Sequence, residues 1–204
     1  ISTDPTKRVR ASFGGYYFDQ TDEGQTGALS LRTATDRLGL APGNTLTIEN
    51  KALFGTLDFD MSDALTVSLE GRYQEETKGR QEFGGGTTAT YDESVTFDDF
   101  VYKAILSYDI NEDFSTYGSY ARGVKPGGVN GSIGVASGDE FYEPENVDAF
   151  ELGLKGRFLD SGRFTLSAYL NDISQYQLTT PVAAVAGGNV NSVATNQGNA
   201  EIMG

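Results

Sequence analysis

The sequence predicts an all-β fold, a transmembrane antiparallel β-barrel fragment of about eight strands arranged as four hairpins. Apolar and polar residues alternate in several runs of about ten residues, which is enough for a tilted strand to cross a bilayer. No stretch shows a convincing helical period. Short turns alternate strictly with long connections, an arrangement that is typical of outer-membrane barrels.

The alternation is clearest in ALTVSLEGRYQ, residues 64–74, and it recurs at 8–18, 100–109, 149–158 and 163–171. In a barrel, one side of each strand faces lipid and the other faces a wet lumen. The predicted lipid-facing residues are Leu65, Val67, Leu69, Tyr73, Phe100, Tyr102, Leu106, Phe150, Leu152, Leu154, Phe158 and Leu166. The predicted lumen-facing residues are Thr66, Ser68, Glu70, Arg72, Lys103, Glu151, Lys155, Arg157, Thr165, Ser167 and Asn171.

The connections predict which end of the barrel is which. The short turns at 60–63, 109–113 and 159–162 contain Asp, Asn, Ser and Gly, which favour tight hairpins. They are expected on the periplasmic side, and the long connections on the extracellular side. The predicted long connections are 19–47, 78–97, 123–146 and 174–196. An aromatic residue lies near the end of the strand before each short turn, at the height expected for a membrane-interface girdle: Phe59, Tyr108 and Phe158.

Composition excludes several classes of function. The 204 residues carry a formal net charge of −14 and no basic stripe, so we predict no nucleic-acid partner. The chain contains no Cys and no His, which excludes disulfides, thiolate metal sites, zinc hydrolysis and Ser-His-Asp catalysis within it. No apolar run is long enough for a membrane helix. Because the chain starts at Ile1 and ends abruptly at Gly204, we expect a piece of a longer polypeptide.

Other polar clusters support weaker hypotheses. Carboxylates at 18–24 and 137–145 suit Ca²⁺, but neither stretch matches an EF-hand, and solvated acidic loops are the favoured interpretation. The glycines at 84–86 precede no Lys and predict a loop that binds no phosphate. Asp98 and Asp99 point to opposite faces of a strand and so do not form a catalytic pair. We therefore predict no catalytic residue, no cofactor and no metal site.

Tyr120, Arg122 and Lys125 lie where a strand meets a long connection, and they are the candidate ligand-binding residues. The cations suit an anionic ligand, because Arg offers a bidentate fork to carboxylates. The favoured alternative is that they pair with acidic neighbours. Charged residues on the predicted lumen side either form an ion-pair ladder between strands or make a solvated wall: Glu70, Arg72, Glu151, Lys155 and Arg157.

Three stretches carry a resemblance to a known family. SYARGVKPGGVNG (119–131) resembles the strand-to-loop passage Y-S-R-G-F-K-P-G-G-F-N in the barrels of TonB-dependent outer-membrane receptors. Residues 142–172 are similar to that family's next hairpin, usually Y-x-P-E-x-x-x-x-Y-E-x-G-x-K. NQGNAEIMG (196–204) is similar to the N-A-G-x-A-x-x-x-G opening of a further strand.

The resemblance implies that residues 1–204 are part of a larger barrel domain in the outer membrane of a Gram-negative bacterium. It also implies a plug domain and a TonB-contacting segment, both absent from this chain. The implied partners are outer-membrane lipid, the plug, the TonB complex and a small-molecule ligand. That ligand is an iron-siderophore, a cobalamin-like cofactor or a glycan, and the barrel motifs do not separate these.

The leading hypothesis for function is energy-coupled uptake of a scarce ligand, such as an iron-siderophore complex, by an outer-membrane receptor. A passive porin or a structural barrel is the first alternative, because eight strands can close by themselves. A soluble, secreted β-sandwich that binds glycans is the second alternative.

Overall fold

We describe the protein from a computed structural model. The structure describes residues 3–4, 6–26, 41–83, 88–131, 139–158, 162–182 and 191–204. The strands are β1 Val9–Thr26, β2 Ala41–Asp60, β3 Leu65–Phe83, β4 Ala89–Asp109, β5 Phe114–Lys125, β6 Gly128–Val129, β7 Phe141–Tyr142, β8 Glu145–Phe158, β9 Gly162–Val182 and β10 Asn191–Met203.

Eight of these strands form one antiparallel sheet in the order β1-β2-β3-β4-β5-β8-β9-β10. The two remaining strands, β6 and β7, pair with each other in the connection between β5 and β8. The predicted all-β class and its eight strands are thus confirmed. Within the described residues the sheet does not close, and β1 and β10 lie at its open edges. No helix in this part of the chain has the length and apolar character needed to cross a membrane.

The register places the two predicted sets of residues on opposite faces of the sheet. Leu65 lies opposite Tyr108 and Tyr73 lies opposite Phe100, whereas Thr66 lies opposite Ser107 on the other side. We call these the apolar face and the polar face. All twelve predicted lipid-facing residues lie on the apolar face and all eleven predicted lumen-facing residues lie on the polar face.

The sheet forms a single layer that packs its apolar face against nothing in the described chain. Leu152 is 64% exposed and Leu166 is 66% exposed on that face. The buried apolar residues of the described segments are Ala52, Ile173 and Val193. A soluble β-sandwich would bury this face against a second sheet, so the structure argues against that alternative and for a wall whose apolar side faces lipid.

Two of the short turns show why they are tight. The backbone N–H groups of Met61 and Ser62 donate to the Leu65 carbonyl at 2.8 and 3.3 Å. In the turn between β4 and β5, Asn111 Oδ1 accepts from the backbone N–H groups of Asp113 and Phe114 at 2.9 and 3.0 Å. An Asn that bonds to its own turn in this way shortens the connection. Residues 159–161 of the third turn lie outside the described residues.

The strands extend farther from the short turns than the sequence predicted. β3 continues to Phe83 and β4 starts at Ala89, so the predicted connection 78–97 is mostly strand. β1 and β2 occupy much of 19–47, and β9 and β10 occupy much of 174–196. The predicted bounds of these connections are therefore wrong. In EETKGRQEF and YDESVTF polar residues occur on both faces, so no apolar alternation marks these extensions as strand.

Candidate functional site

The polar face carries a hydrogen-bonded network where β2 and β3 adjoin. Arg72 Nε donates to Gln74 Oε1 at 2.8 Å, and Arg72 Nη2 donates to Asn50 Oδ1 at 3.1 Å. Asn50 Nδ2 in turn donates to Glu76 Oε2 at 2.7 Å. Asn50 and Gln74 are only 5% and 8% exposed. Buried amides that bridge charged groups in this way fix the position of the Arg72 guanidinium.

Large aromatic side chains lie beside this network on the same polar face. Tyr16 and Phe54 are paired in register with Ala52 and Arg72, and they remain 45% and 44% exposed. The Phe18 ring stacks on the Tyr16 ring with centroids 6.4 Å apart. The Arg72 guanidinium lies 5.2 Å from the centroid of Tyr16, a cation–π geometry. The sequence alternation indicated neither this patch nor its contact with Arg72.

A second polar network lies near the short-turn end of the same face. Arg10 donates to Asp60 through both terminal guanidinium nitrogens, Nη1 and Nη2, and Thr66 Oγ1 donates to Asp60 Oδ1 at 2.9 Å. Ser68 Oγ donates to Asp58 Oδ1 at 2.5 Å. The predicted lumen residues Thr66 and Ser68 therefore bond to carboxylates of the neighbouring strand, which the sequence pattern did not specify.

The ion-pair ladder considered for the predicted lumen charges does not form in the described residues. Arg157 pairs instead with Asp113 at the turn between β4 and β5, at 3.4 Å. Glu151 accepts a hydrogen bond from the Tyr117 hydroxyl at 2.5 Å, and the Lys155 ammonium lies 4.9 Å from the Tyr117 ring centroid. Most cross-strand neighbours of these residues are uncharged, and Arg72 bonds to the side-chain amides of Asn50 and Gln74 instead of to Glu70.

The structure does not bring the three candidate ligand-binding residues together. Tyr120 and Arg122 lie on the apolar face, where both contact Asp148: the Tyr120 hydroxyl donates at 2.7 Å and Arg122 Nη1 at 2.5 Å. Tyr120 also stacks on Phe150 with ring centroids 4.8 Å apart. Arg122 thus pairs with the acidic neighbour Asp148, which fits the alternative interpretation of this residue.

Lys125 lies on the other face, at the end of β5. Its ammonium is 3.9 Å from Glu145 Oε2, a loose ion pair with a buried carboxylate. The same Glu145 Oε2 also accepts a hydrogen bond from the backbone N–H of Gln177, at 2.7 Å. Lys125 therefore marks the start of the connection to β8 rather than a shared site with Tyr120 and Arg122.

That connection is folded over the polar face, and we call its described residues, 126–131 and 139–144, the strap. Lys78 Nζ of β3 donates to the Gly127 carbonyl at 2.9 Å. From the far side, Gln177 Nε2 of β9 donates to the carbonyls of Pro126 and Glu143 at 3.1 and 3.0 Å. The strap is thus held by strands that lie on both sides of β5 and β8.

Asn130 of the strap is 5% exposed and forms hydrogen bonds through both its side chain and its backbone. Its Nδ2 donates to the carbonyls of Asp139 and Ala194, each at 2.8 Å, and the backbone N–H of Ala194 donates to Asn130 Oδ1 at 2.9 Å. The Tyr91 hydroxyl donates to the Asn130 carbonyl at 3.0 Å. One side-chain amide therefore joins the strap to itself and to β10.

Two glycines of the strap lie where a side chain would not fit. A Cβ on Gly127 would overlap the carbonyl oxygen of Tyr142, and one on Gly128 would overlap the Tyr142 hydroxyl. Burial raises the pKa of the Tyr142 phenol above its ordinary value. The P-G-G-V-N motif at 126–130 signalled this region in the sequence, but its partners Lys78, Tyr91, Gln177 and Ala194 are distant in the chain and carried no signal.

The acidic stretches differ from the predicted loops. Residues 18–24 are part of β1, so that carboxylate cluster lies on an extended strand rather than in a loop. No group of three or more metal-ligating side chains occurs among the described residues. Residues 137–138 of the second stretch, and the glycines at 84–86, lie outside those residues.

A single-layer antiparallel sheet with an exposed apolar face and a networked polar face is the architecture of a transmembrane β-barrel wall. The sequence matches the family model described as TonB dependent receptor-like, beta-barrel, over residues 2–204. The chain belongs to this family, whose members are outer-membrane β-barrel proteins of Gram-negative bacteria. The family comprises receptors and transporters.

Relatives extend this result. The chain is 25% identical over 157 residues to a probable TonB-dependent siderophore receptor, PiuA, of Acinetobacter baumannii, covering 72% of this chain and 21% of that protein. The crystal structure of PiuA matches with a TM-score of 0.69 at 17% identity, covering 98% of this chain and 32% of the other. The ferric yersiniabactin uptake receptor FyuA of Yersinia pestis matches with a TM-score of 0.68 at 16% identity, covering 98% and 29%.

The structural matches at these identities establish the fold alone. A copper transporter, OprC, matches as well, with a TM-score of 0.66 at 13% identity, covering 97% of this chain and 32% of the other. The chain spans about a fifth of the curated relative and about a third of the solved structures that it matches.

Proposed function

We propose that this chain is part of the wall of an energy-coupled outer-membrane receptor that imports a small-molecule ligand, with a metal-siderophore complex as the favoured ligand class. The observation that carries the proposal is the strap, pinned by strands on both sides across a polar face whose reverse side is exposed and apolar. Membership of the family supports the ligand class, as does similarity to PiuA, a probable siderophore receptor, and to FyuA, a ferric yersiniabactin uptake receptor.

Each part of the wall has a role in this proposal. The apolar face contacts lipid, and the polar face lines the lumen. In this proposal the strap lies at the extracellular mouth, where hydrogen bonds hold its described residues in place, so that ligand contacts with these residues cost little conformational entropy. Of the three residues predicted to bind ligand, Lys125 is the proposed contact because it adjoins the strap, whereas Tyr120 and Arg122 lie on the face proposed to contact lipid.

The rest of the polypeptide completes the machinery. A wide barrel does not fill its own lumen with side chains, so a folded plug domain has to block it until ligand arrives. Contact between that plug and the TonB complex supplies the energy for uptake. Residues 1–204 provide part of the barrel domain.

Uptake by the complete protein tests the ligand class. A strain that lacks all of its own siderophore receptors is complemented with the complete gene and given radiolabelled ferric siderophores of several chemical types. We expect accumulation of at least one ferric siderophore and none of labelled cobalamin or maltodextrin. Accumulation of cobalamin or maltodextrin alone would contradict the siderophore assignment.

A further inference from the structure

The hairpin of β9 and β10 changes its backbone geometry at one rung. Among the described residues, Gln175 is the non-glycine residue with a positive φ, 57°, and Gly198 is the glycine, with a φ of 37°. The ladder keeps one register on both sides of this rung, but the pair of Gln175 and Gly198 is missing from it. The pairing of β9 with β8 also ends here, at Ser174. This rung is a break in an otherwise regular hairpin, and we call it the hinge.

We call the part of the hairpin beyond the hinge, residues 176–182 and 191–197, the flap. Asn196 of the flap exchanges two hydrogen bonds with the backbone of Glu143 in the strap: its Oδ1 accepts from the N–H at 2.7 Å, and its Nδ2 donates to the carbonyl at 2.9 Å. Asn130 of the strap makes the same exchange with the backbone of Ala194 in the flap. Gln177 Nε2 adds a bond to the Glu143 carbonyl. We call these bonds between flap and strap the latch.

The latch and the hinge share the side chain of Asn196. Its Nδ2 also donates to the carbonyl of Gln175, at 2.8 Å. A positive φ is unfavourable for Gln175, because it has a Cβ, whereas Gly198 adopts one readily. The amide that bonds to the strap therefore also bonds to the residue in the unfavourable conformation. The bent geometry of the hinge is stabilised by the same side chain that holds the strap.

The latch consists of neutral hydrogen bonds, each between a side-chain amide and a backbone group. The net contribution of such a bond is modest, because water replaces the partner when the bond opens. On its other side the strap is bonded to β3 through the Lys78 ammonium and to β4 through the Tyr91 hydroxyl. The flap can therefore separate from the strap while the strap stays bonded to β3 and β4.

We propose that the flap is a hinged gate with two states. In the latched state it lies against the strap, as the structure shows. In the released state Gln175 and Gly198 are extended, their rung rejoins the ladder, and the flap straightens away from the strap. Release relieves the positive φ of Gln175, and latching regains the bonds of Asn196 and Asn130, so each state has a stabilising feature that the other lacks.

The gate regulates access to the polar face of the wall. With the latch closed, flap and strap together cover part of that face, and release opens a gap between them. The proposal rests on the proposed function in one respect, which is that the route opened in this way admits the imported ligand. The hinge and the latch are properties of the chain itself and are measurable without any ligand.

The distance from the flap to the opposite strands tests the gate in the complete protein. Spin labels are attached through Leu178→Cys on the flap and Thr47→Cys on β2, both exposed positions, after any Cys elsewhere is replaced. Pulsed electron–electron double resonance then gives the population at each distance in lipid vesicles. Heat-modifiable migration on gels verifies that each barrel is folded.

Four substitutions separate the hinge from the latch. Asn196→Asp keeps the size of the side chain but removes its donor group, and Asn199→Asp adds the same charge at an exposed position of β10 as the control. Gly198→Ala acts through φ alone, because a Cβ there would meet nothing within 4 Å. Gln175→Gly removes the penalty of the positive φ and is combined with Asn196→Asp.

We expect the wild type to show mainly the shorter distance. Asn196→Asp should raise the ratio of the longer to the shorter distance by about ten- to a hundredfold, and Gly198→Ala by about tenfold. Adding Gln175→Gly to Asn196→Asp should lower the ratio again by about tenfold, because glycine tolerates the latched hinge. Asn199→Asp should match the wild type.

Two results overturn the gate. One is an unchanged ratio in Asn196→Asp, and the other is a ratio that Gly198→Ala and Gln175→Gly shift in the same direction or leave unchanged. If Gly198→Ala does not fold, the response to Gln175→Gly decides. Either result leaves the proposed function intact. A flap that responds as expected, in a protein that accumulates cobalamin or maltodextrin alone, instead overturns the proposed function and retains the gate.

Discussion

The side-chain amide of Asn130 exchanges two hydrogen bonds with the backbone of Ala194, at 2.8 and 2.9 Å. The two residues belong to the strap and to β10, 64 positions apart in the chain. The amide thereby bonds to both the N–H and the carbonyl group of Ala194, as the backbone of a neighbouring strand would. This contact fixes the strap to β10.

Replacing Asn130 should loosen the strap without unfolding the sheet. Asn130→Ala leaves the backbone groups of Ala194 and Asp139 unpaired, at a cost of about 1–3 kcal/mol. Hydrogen–deuterium exchange of peptides that contain β6 and β7 should therefore accelerate by about ten- to a hundredfold, while exchange in β3 and β4 stays unchanged. Asn199→Ala, at an exposed position, is the control. Equal exchange in both variants would show that Asn130 does not hold the strap.

The strap should also be sensitive to a single added methyl group. Gly127→Ala places a Cβ against the Tyr142 carbonyl and the Phe97 ring, and overpacking of this kind costs about 1–3 kcal/mol. Gly118→Ala is matched to it, because a Cβ there meets only Leu152, at 4.0 Å. We expect faster protease cleavage of the strap on intact cells for Gly127→Ala alone. Equal cleavage rates would contradict the packing shown here.

The two faces of β3 should differ sharply in their tolerance of charge. Val67→Arg places a cation on the apolar face, which costs about 2–4 kcal/mol if that face meets the bilayer midplane. Ser68→Arg places it on the polar face, next to Asp58. Equilibrium unfolding in lipid vesicles should show the larger destabilisation for Val67→Arg. Equal losses would reverse the assignment of lipid and lumen.

Sidedness is testable with single cysteines, because residues 1–204 contain no Cys and any Cys elsewhere in the complete protein can be replaced. A single Cys at Thr88, beside the connection between β3 and β4, should react with a membrane-impermeant maleimide on intact cells expressing the complete protein. A Cys at Asp63, in the turn between β2 and β3, should react only after the outer membrane is opened. Labelling of the Asp63 position alone would invert the topology.

The strands, their faces and the short turns could be predicted from the sequence because those features depend on local alternation and turn chemistry. Leu65, Thr66 and Asn111 each follow such a local rule. The strand extensions could not be predicted, since polar residues occur on both of their sides. Alternation of apolar and polar residues identifies a strand only where one face of that strand is apolar. A strand segment that extends beyond the bilayer needs no apolar face.

The candidate site was predictable only in part. The motif at 126–130 indicated the strap, but its partners come from β3, β4, β9 and β10. Arg122 lies near the end of a strand, as the sequence predicted. The sequence did not indicate its partner Asp148, because that contact depends on the register between β5 and β8. Non-local contacts of this kind are fixed by topology, and a single sequence does not display them.

The most direct test of the central claim measures uptake by the complete protein while the proton gradient is collapsed. A coupled receptor requires the gradient to move its plug, whereas an open barrel lets solute flow down its own gradient. We expect accumulation of labelled ferric siderophore to stop within minutes of adding an uncoupler, while surface binding at 4 °C or below is retained. Uptake that continues unchanged with the uncoupler would contradict energy coupling and leave a passive barrel in its place.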